Sequence, residues 1–311
     1  MNRRILARHL VLFTGGLVSA ILAADVSADD AAQQLPPVYF NHCDIVVDPA
    51  TYDAIAQSQF LKEEFSFARE TTVRRDNGRG AYSYTFFGIS GRQTYLTFFK
   101  PDEAQLRLPN RIAFNMWIDD RTKLPLVRDA LAATTHTNPE VGTSRVNGRA
   151  IPQFDFTHAE FRSDPANVLA GTMVMGMYPG YLRQVLPEIK PEQEGTSREK
   201  DNARRYLPER LLNDITRFTF IVNKAEADQL LQEFHAYGFT IRTNGYKHVA
   251  TGPGIEFVLL NTEPAWPRKL AIDMKLNRAK TGEQSYQFGS GSEIRFKGDT
   301  ASWYFPAGWR P

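Results

Sequence analysis

The chain has 311 residues, 42% of them hydrophobic, and a formal net charge of +2 at pH 7. This length is enough for a large core or for two domains of roughly 140 residues. The near-neutral charge argues against nucleic acid or an anionic membrane surface as a partner. Because Cys43 is the single cysteine, intrachain disulfides are excluded.

Residues 1–28 have the three-part pattern of a secretory signal peptide. They carry three arginines at positions 3, 4 and 8, continue with an uncharged apolar run over 10–24, and end in Val26-Ser27-Ala28. A membrane-spanning helix needs ~20 apolar residues, so this shorter run, broken at Gly15-Gly16, favours a cleaved signal over a retained anchor. We therefore expect a periplasmic or secreted protein with no stable membrane insertion after cleavage.

Residues 41–99 predict the order strand, helix, strand, strand, strand. Asp48-Pro49 is a typical helix start, since Asp caps the N terminus and Pro fits the first turn. Asp76-Asn77-Gly78 is typical of a hairpin, because Asn-Gly tolerates the positive φ that such turns need. The unit closes with a predicted strand over 93–99.

A similar order recurs three times, beginning near residues 111, 217 and 270. The third copy has a predicted helix between the cap Asn223 and Gly238, whereas the fourth copy lacks a clear helix. Repetition of one unit predicts an α+β fold in which repeated βαβββ modules form curved mixed sheets, as two paired assemblies.

The predicted boundaries place one module pair at 38–187 and the other at 214–306. Residues 188–213 between them are predicted to be a linker or a solvated surface excursion. Over 188–205 the acidic and basic residues balance, and the apolar periodicity ends after Ile189.

The module resembles that of the vicinal oxygen chelate superfamily, which includes glyoxalase I, the bleomycin-resistance proteins and the extradiol dioxygenases. The run 41–48 is similar to the opening strand of those proteins, where a His often stands, and 94–99 is similar to their closing strand. The N-terminal stretch also resembles exported bacterial proteins of unassigned function. The resemblance implies cup-like sheets in which first- and last-strand residues hold a divalent metal that acts as a Lewis acid.

Carried onto this chain, the resemblance assigns His42 to the first-strand metal ligand and Glu256 to a closing-strand carboxylate. The other expected positions fall near Thr97, Ala113 and Arg217, none of which is a usual ligand. The resemblance therefore implies a divalent metal as the cofactor but an incomplete ligand set.

His158 and Glu160 are candidate catalytic residues, because alternation along one predicted strand places them on one face. If this strand and the first strand line one cup, both residues converge with His42 and Asp44. Such a set suits a metal site or general acid–base chemistry. The alternative is a solvated strand face, with His42 hydrogen-bonded within the sheet.

The sequence leaves two main functions open, both for an exported protein that acts on a small molecule. One is a metal-assisted lyase, isomerase or dioxygenase. The other is a non-catalytic protein of the same fold that binds and sequesters its ligand, with aromatic residues, 12% of the chain, lining the cup. A purely structural envelope protein is a third possibility, and it predicts no concave polar pocket.

Overall fold

The computed structural model describes residues 35–76, 81–102, 112–132, 136–160, 170–188, 190, 195–262, 269–282 and 284–305, without the side chains of 74–76, 81–82, 136–139 and 158–160. The predicted signal peptide, 1–28, lies outside these residues. Within the described part of the chain, no helix has both the length and the apolar character needed to cross a membrane.

The first half of the chain contains two βαβββ modules. The first consists of β1 (Tyr39–Val46), α1 (Pro49–Gln57), a π-helical turn (Leu61–Phe65), β2 (Phe67–Asp76), β3 (Ala81–Ser90) and β4 (Tyr95–Phe99). The second consists of β5 (Ile112–Trp117), a 3-10 turn (Arg121–Lys123), α2 (Leu124–Ala132), β6 (His136–Val146), β7 (Arg149–Glu160) and β8 (Ala170–Met177). Two short helices follow, α3 (Pro179–Val185) and α4 (Arg198–Asn202).

The second half repeats the unit twice. The third module consists of β9 (Leu212–Val222), α5 (Lys224–Ala236), β10 (Thr240–Asn244), β11 (Lys247–Gly252) and β12 (Ile255–Asn261). The fourth consists of β13 (Leu270–Leu276), β14 (Ser285–Phe288), β15 (Ser292–Lys297) and β16 (Thr300–Phe305). The described residues between β13 and β14 form no helix, as the sequence predicted.

Each pair of modules forms one eight-stranded mixed sheet. The strand orders are β2-β3-β4-β1-β5-β8-β7-β6 in sheet 1 and β10-β11-β12-β9-β13-β16-β15-β14 in sheet 2. In both sheets the opening strand of the pair, β1 or β9, lies at the centre, parallel to one neighbour and antiparallel to the other. The predicted α+β class with paired βαβββ modules is therefore confirmed.

Local sequence signals determine the helix starts. Asp48 caps α1 by accepting a hydrogen bond from the Thr51 amide at 2.9 Å. Asn223 and Glu226 form a capping box at the start of α5, with bonds of 2.9 and 3.1 Å.

The inner faces of the two sheets share one hydrophobic core, to which α1, α2 and α5 also contribute. Aromatic rings join the sheets directly, with centroid distances of 5.1 Å between Phe40 and Phe218 and 4.8 Å between Phe114 and Phe257. Side chains alternate along a strand. The residues next to these aromatic residues in sequence therefore point to the outer face of each sheet.

The outer face of sheet 1 is covered by the chain that follows it. Residues around α3 pack on Trp117, Met175 and Met177. Residues 195–211, which we call the strap, contain α4 and lie within the predicted linker 188–213. The Trp117 indole donates a 2.9 Å hydrogen bond to the Thr196 carbonyl, and Thr196 is buried.

Asp214 fastens the start of β9 to the turn before β4. One carboxylate oxygen of Asp214 accepts hydrogen bonds from the Gln93 amide at 2.8 Å and from the Thr94 amide and hydroxyl at 2.9 Å. Gly91 permits this close approach, since a Cβ there would lie 2.6 Å from the Asn213 carbonyl oxygen. This contact ties an end of sheet 1 to the centre of sheet 2.

Candidate functional site

A row of polar residues crosses the centre of the outer face of sheet 2. Arg217 on β9 pairs in register with Glu256 on β12 and with Asp273 on β13, and Asp273 pairs with Ser302 on β16. The row faces outward because Phe218, the residue after Arg217, is fully buried on the inner face.

The Arg217 guanidinium lies between two carboxylates. Its Nε and Nη2 donate to one oxygen of Glu256 at 2.8 and 2.5 Å, and its Nη1 lies 3.6 Å from Asp273. The Ser302 hydroxyl donates to the other Asp273 oxygen at 2.6 Å. The hydrogen bond to Glu256 raises the pKa of Arg217 further above its ordinary value, so the guanidinium stays charged.

This row forms part of the wall of an open cavity of about 620 Å³. The charged side chains remain partly exposed, 47% for Arg217 and 34% each for Glu256 and Asp273. One guanidinium and two carboxylates give the row a formal charge of −1, and the hydroxyls of Thr216, Thr251, Thr300 and Ser302 add hydrogen-bonding groups to the lining.

The residues of this row do not fit a divalent metal. A cation placed between Glu256 and Asp273 would meet the guanidinium of Arg217, which already uses both carboxylates. Across the described residues, no group of three or more His, Cys, Asp and Glu side chains is arranged to hold a metal ion.

The matching row on sheet 1 contains His42. In register, His42 on β1 pairs with Tyr95 on β4 and with Asn115 on β5, and Asn115 pairs with Met173 on β8. The sequence had placed the corresponding positions near Thr97 and Ala113, but both of these pair with Asp44. The pairing of β1 with β4 is regular, whereas an irregularity between Phe40 and His42 changes the register of β1 against β5 by one residue on the N-terminal side of His42.

His42 is a largely buried, neutral imidazole. Its Nδ1 lies 2.6 Å from the Asn41 side-chain oxygen, its Nε2 lies 3.7 Å from Asp44, and its ring stacks on Tyr95 at 4.3 Å. Burial lowers the pKa of His42 to about 4, although the Asp44 carboxylate opposes this shift. His42 is therefore uncharged at neutral pH.

The structure brings His42 and Asp44 together but separates the other predicted site residues. Glu256 lies on the outer face of sheet 2, and His42 lies on the outer face of sheet 1. Because the two sheets pack by their inner faces, these two residues cannot share one ion. The backbone of His158 lies in the same row as His42 but three strands away, which is ~14 Å along a sheet. Glu160 pairs with His136 on the edge strand β6, and the side chains of His158 and Glu160 lie outside the described residues.

Sequence reasoning missed Asn115 and Asp273 as members of the central rows. Each is a polar residue within a strand whose inward positions are apolar, β5 and β13. For Asn115 that signal was available, because a buried polar side chain needs a hydrogen-bonding role. No sequence pattern indicated Arg205, because its position beside sheet 1 depends on how the strap folds back over that sheet.

Two eight-stranded sheets, each made of two modules and each with a polar row across its outer face, define the class of the protein as a paired-module α+β fold. The chain belongs to the family of unknown function DUF5829, whose model matches residues 40–305. No curated protein matches the chain.

Several solved structures are similar to the chain at low identity. A hypothetical protein from Staphylococcus aureus is 8% identical with a TM-score of 0.43, over 73% of this chain and 86% of that one. A mutant of 4-hydroxymandelate synthase from Streptomyces coelicolor is 12% identical with a TM-score of 0.36, over 73% and 64%. A xylose isomerase-like TIM barrel/4-hydroxyphenylpyruvate dioxygenase fusion protein is 11% identical with a TM-score of 0.39, over 74% and 33%.

Proposed function

We propose that the protein binds a small molecule, without the help of a metal ion, in the cavity on the outer face of sheet 2. The observation that carries this proposal is the position of Arg217 between Glu256 and Asp273 in the wall of an open cavity of about 620 Å³. Small-molecule sites commonly have volumes of roughly 300–1,000 Å³ and a few convergent polar groups.

The charge of the row favours uncharged or cationic ligands. Anions meet a formal charge of −1, because Arg217 is already paired with two carboxylates. Partly exposed carboxylate oxygens and the threonine hydroxyls of the wall supply the hydrogen bonds.

Binding is favoured over metal-assisted catalysis because, on sheet 2, the Arg217 guanidinium occupies the position between the two carboxylates that a metal ion would need. In sheet 1, His42 has hydrogen-bonding and stacking partners rather than a set of acidic ligands. The alternative of a lyase, isomerase or dioxygenase therefore needs a metal site that these two rows do not provide.

We further propose that the mature protein works in the periplasm or outside the cell. The pattern of residues 1–28 supports this proposal. N-terminal sequencing of the protein from the non-cytoplasmic fraction tests it, with Asp29 as the expected first residue. A chain that keeps Met1 and stays in the cytoplasm would contradict it.

A thermal-shift screen tests the binding proposal. We expect uncharged or cationic compounds to raise the melting temperature of the wild type in proportion to the logarithm of their concentration. The same compounds should have at least 10-fold lower affinity for Arg217→Met and Glu256→Gln. Lys224→Met, which removes an exposed ion pair on α5, is the matched control and should respond like the wild type. The proposal would be contradicted if no compound raised the melting temperature of the wild type. It would also be contradicted if the compounds bound Arg217→Met as tightly as the wild type.

Metal analysis of the purified protein tests the metal-free part. We expect less than 0.1 equivalent of any divalent metal, by the order-of-magnitude criterion that a specific site fills to about one equivalent. One equivalent of metal that disappears in His42→Ala would overturn this part and support the metal-assisted alternative.

A further inference from the structure

Four buried polar atoms around His42 have no hydrogen-bond partner within the described residues. Two belong to sheet 1, Asn41 Nδ2 and Asn115 Oδ1, and two belong to the strap, Asn202 Nδ2 and Arg205 Nε. The three asparagines are at most 1% exposed. An unpaired buried polar group costs more free energy than an ordinary hydrogen bond contributes, so a group of four requires a partner.

These atoms belong to one cluster that joins the strap to the sheet. Arg205 donates to the Asn202 side-chain oxygen at 2.6 Å and lies over the Tyr95 ring, 5.2 Å from its centroid. Tyr95 in turn stacks on His42.

The sheet side of the cluster is held by Asp44. Its carboxylate accepts hydrogen bonds from the Thr97 hydroxyl and, at 3.0 Å, from the Asn115 amide. The Asn115 side chain therefore has a fixed orientation, and only its oxygen is left without a partner.

The unused groups define the chemistry of the missing partner. Three are donors and one, Asn115 Oδ1, is an acceptor. Asp44, Asp201 and Arg205 give the surroundings a formal charge of −1, which disfavours an anion. An amide or ureido group matches three of these four groups, because its carbonyl oxygen accepts from two donors while its N–H donates to the acceptor.

We propose a second binding site, between the strap and sheet 1, that takes the amide or ureido group of a small uncharged molecule. It is independent of the cavity on sheet 2, which lies on the opposite outer face. Access is along Arg205 and His42, whose side chains are 29% and 12% exposed.

Acetamide and acetate test this proposal, because they have similar size and shape and differ in charge. NMR of histidine-labelled protein reports the His42 ring, which belongs to the cluster. For a ligand with four heavy atoms we expect a dissociation constant of roughly 1–50 mM, within the limits of ligand efficiency. Acetamide should shift the His42 resonances in a saturable way, and acetate should bind at least 10-fold more weakly.

Asn202→Asp is the informative variant, since it keeps the oxygen that accepts from Arg205 and removes the unpaired donor. It should weaken acetamide binding at least 10-fold. Asn244→Asp, at an exposed hairpin, is the matched control and should leave binding unchanged. Arg217→Met should also leave it unchanged, which separates this site from the proposed function.

Three results would overturn the proposal. They are no saturable shift with acetamide, equal binding of acetate, and unchanged acetamide binding in Asn202→Asp. A crystal structure grown in acetamide that shows only water at Asn115 and Asn202 would overturn it as well.

Discussion

Arg217 gives the outer face of sheet 2 a permanent positive charge of its own. A metal ion exchanges with solvent, and the occupancy of its site depends on the metal concentration. A guanidinium, in contrast, is part of the chain and stays charged at every physiological pH. Its two hydrogen bonds to Glu256 also fix that carboxylate in place. The groups that we propose to recognise the ligand are therefore pre-organised.

Arg217→His should convert this row into a metal site. The substitution removes the competing positive charge and adds an imidazole beside Glu256 and Asp273, a donor set that suits zinc or cobalt. We expect at least a 100-fold gain in Co²⁺ affinity over the wild type, measured by calorimetry and by the visible absorption of the bound ion. Arg217→Met removes the same charge without adding a ligand, and should gain less. Equal Co²⁺ affinity in all three proteins would show that the two carboxylates do not converge on one ion.

At the scale of elements, the strap is a docked segment rather than a free connection. Gly195 lies so close to sheet 1 that an added Cβ would be 1.8 Å from the Asp119 carbonyl oxygen. Arg198 continues the contact by donating to the Gln93 side chain at 3.0 Å and stacking on Tyr39. The strap therefore buries polar groups that a solvated linker would leave in water.

Gly195→Ala should displace the start of the strap. The clash with Asp119 is with backbone, which cannot rotate away, so we expect a loss of about 2–4 kcal/mol in the free energy of unfolding. Urea denaturation measures the loss, and Trp117 fluorescence reports on the local contact. Gly180→Ala on α3 is the matched control, because a Cβ there meets no atom within 4 Å. Equal stability of the two variants would contradict the docking of the strap.

Local signals predicted the elements better than they predicted the strap. Asn147-Gly148, a second Asn-Gly pair of the kind that is typical of hairpins, forms the turn between β6 and β7 with positive φ values of 50° and 79°. The helix caps Asp48 and Asn223 are also where the sequence placed them. The predicted turn at Asn77-Gly78 lies outside the described residues.

The composition of the central rows was harder to predict than the elements that carry them. Asn115 pairs with His42 next to a register irregularity at Phe40, and strand irregularities leave no simple trace in a sequence. Arg205 reaches Tyr95 across more than 100 residues of chain, a contact that no local pattern encodes. His42 and Asp44 were recognised as a pair because alternation along a strand is a local property.

At the scale of the whole molecule, two buried groups give stability opposite dependences on pH. His42 has its pKa lowered to about 4 by burial, so stability falls as pH drops from 6.5 to 4 while only the unfolded chain binds the proton. Glu233 has its pKa raised to about 7 by burial, so stability falls as pH rises from 4.5 to 7 while only the unfolded chain releases its proton. Between pH 4.5 and 6.5 the two effects cancel.

Glu233→Gln should expose the pH dependence that His42 contributes to the free energy of unfolding. The glutamine keeps an acceptor for the Thr172 hydroxyl, which lies 2.6 Å from Glu233, and it does not titrate. We expect the free energy of unfolding of the variant to rise by about 3 kcal/mol from pH 4.5 to 6.5, while the contributions of these two groups in the wild type offset one another. Urea denaturation at three pH values measures both slopes. Parallel pH profiles for the two proteins would contradict the assignment.

The fastening at Asp214 also sets an order of assembly. The turn that precedes β4 is held by a residue 120 positions further along the chain than Thr94. Until that residue has been synthesised, the strand beside His42 lacks its anchor, and Trp117 lacks the strap that covers it. The first half therefore completes its structure only after the second half has begun. For the export that we propose, such a delay would be an advantage, because the early segments remain unfinished until the late segments are present.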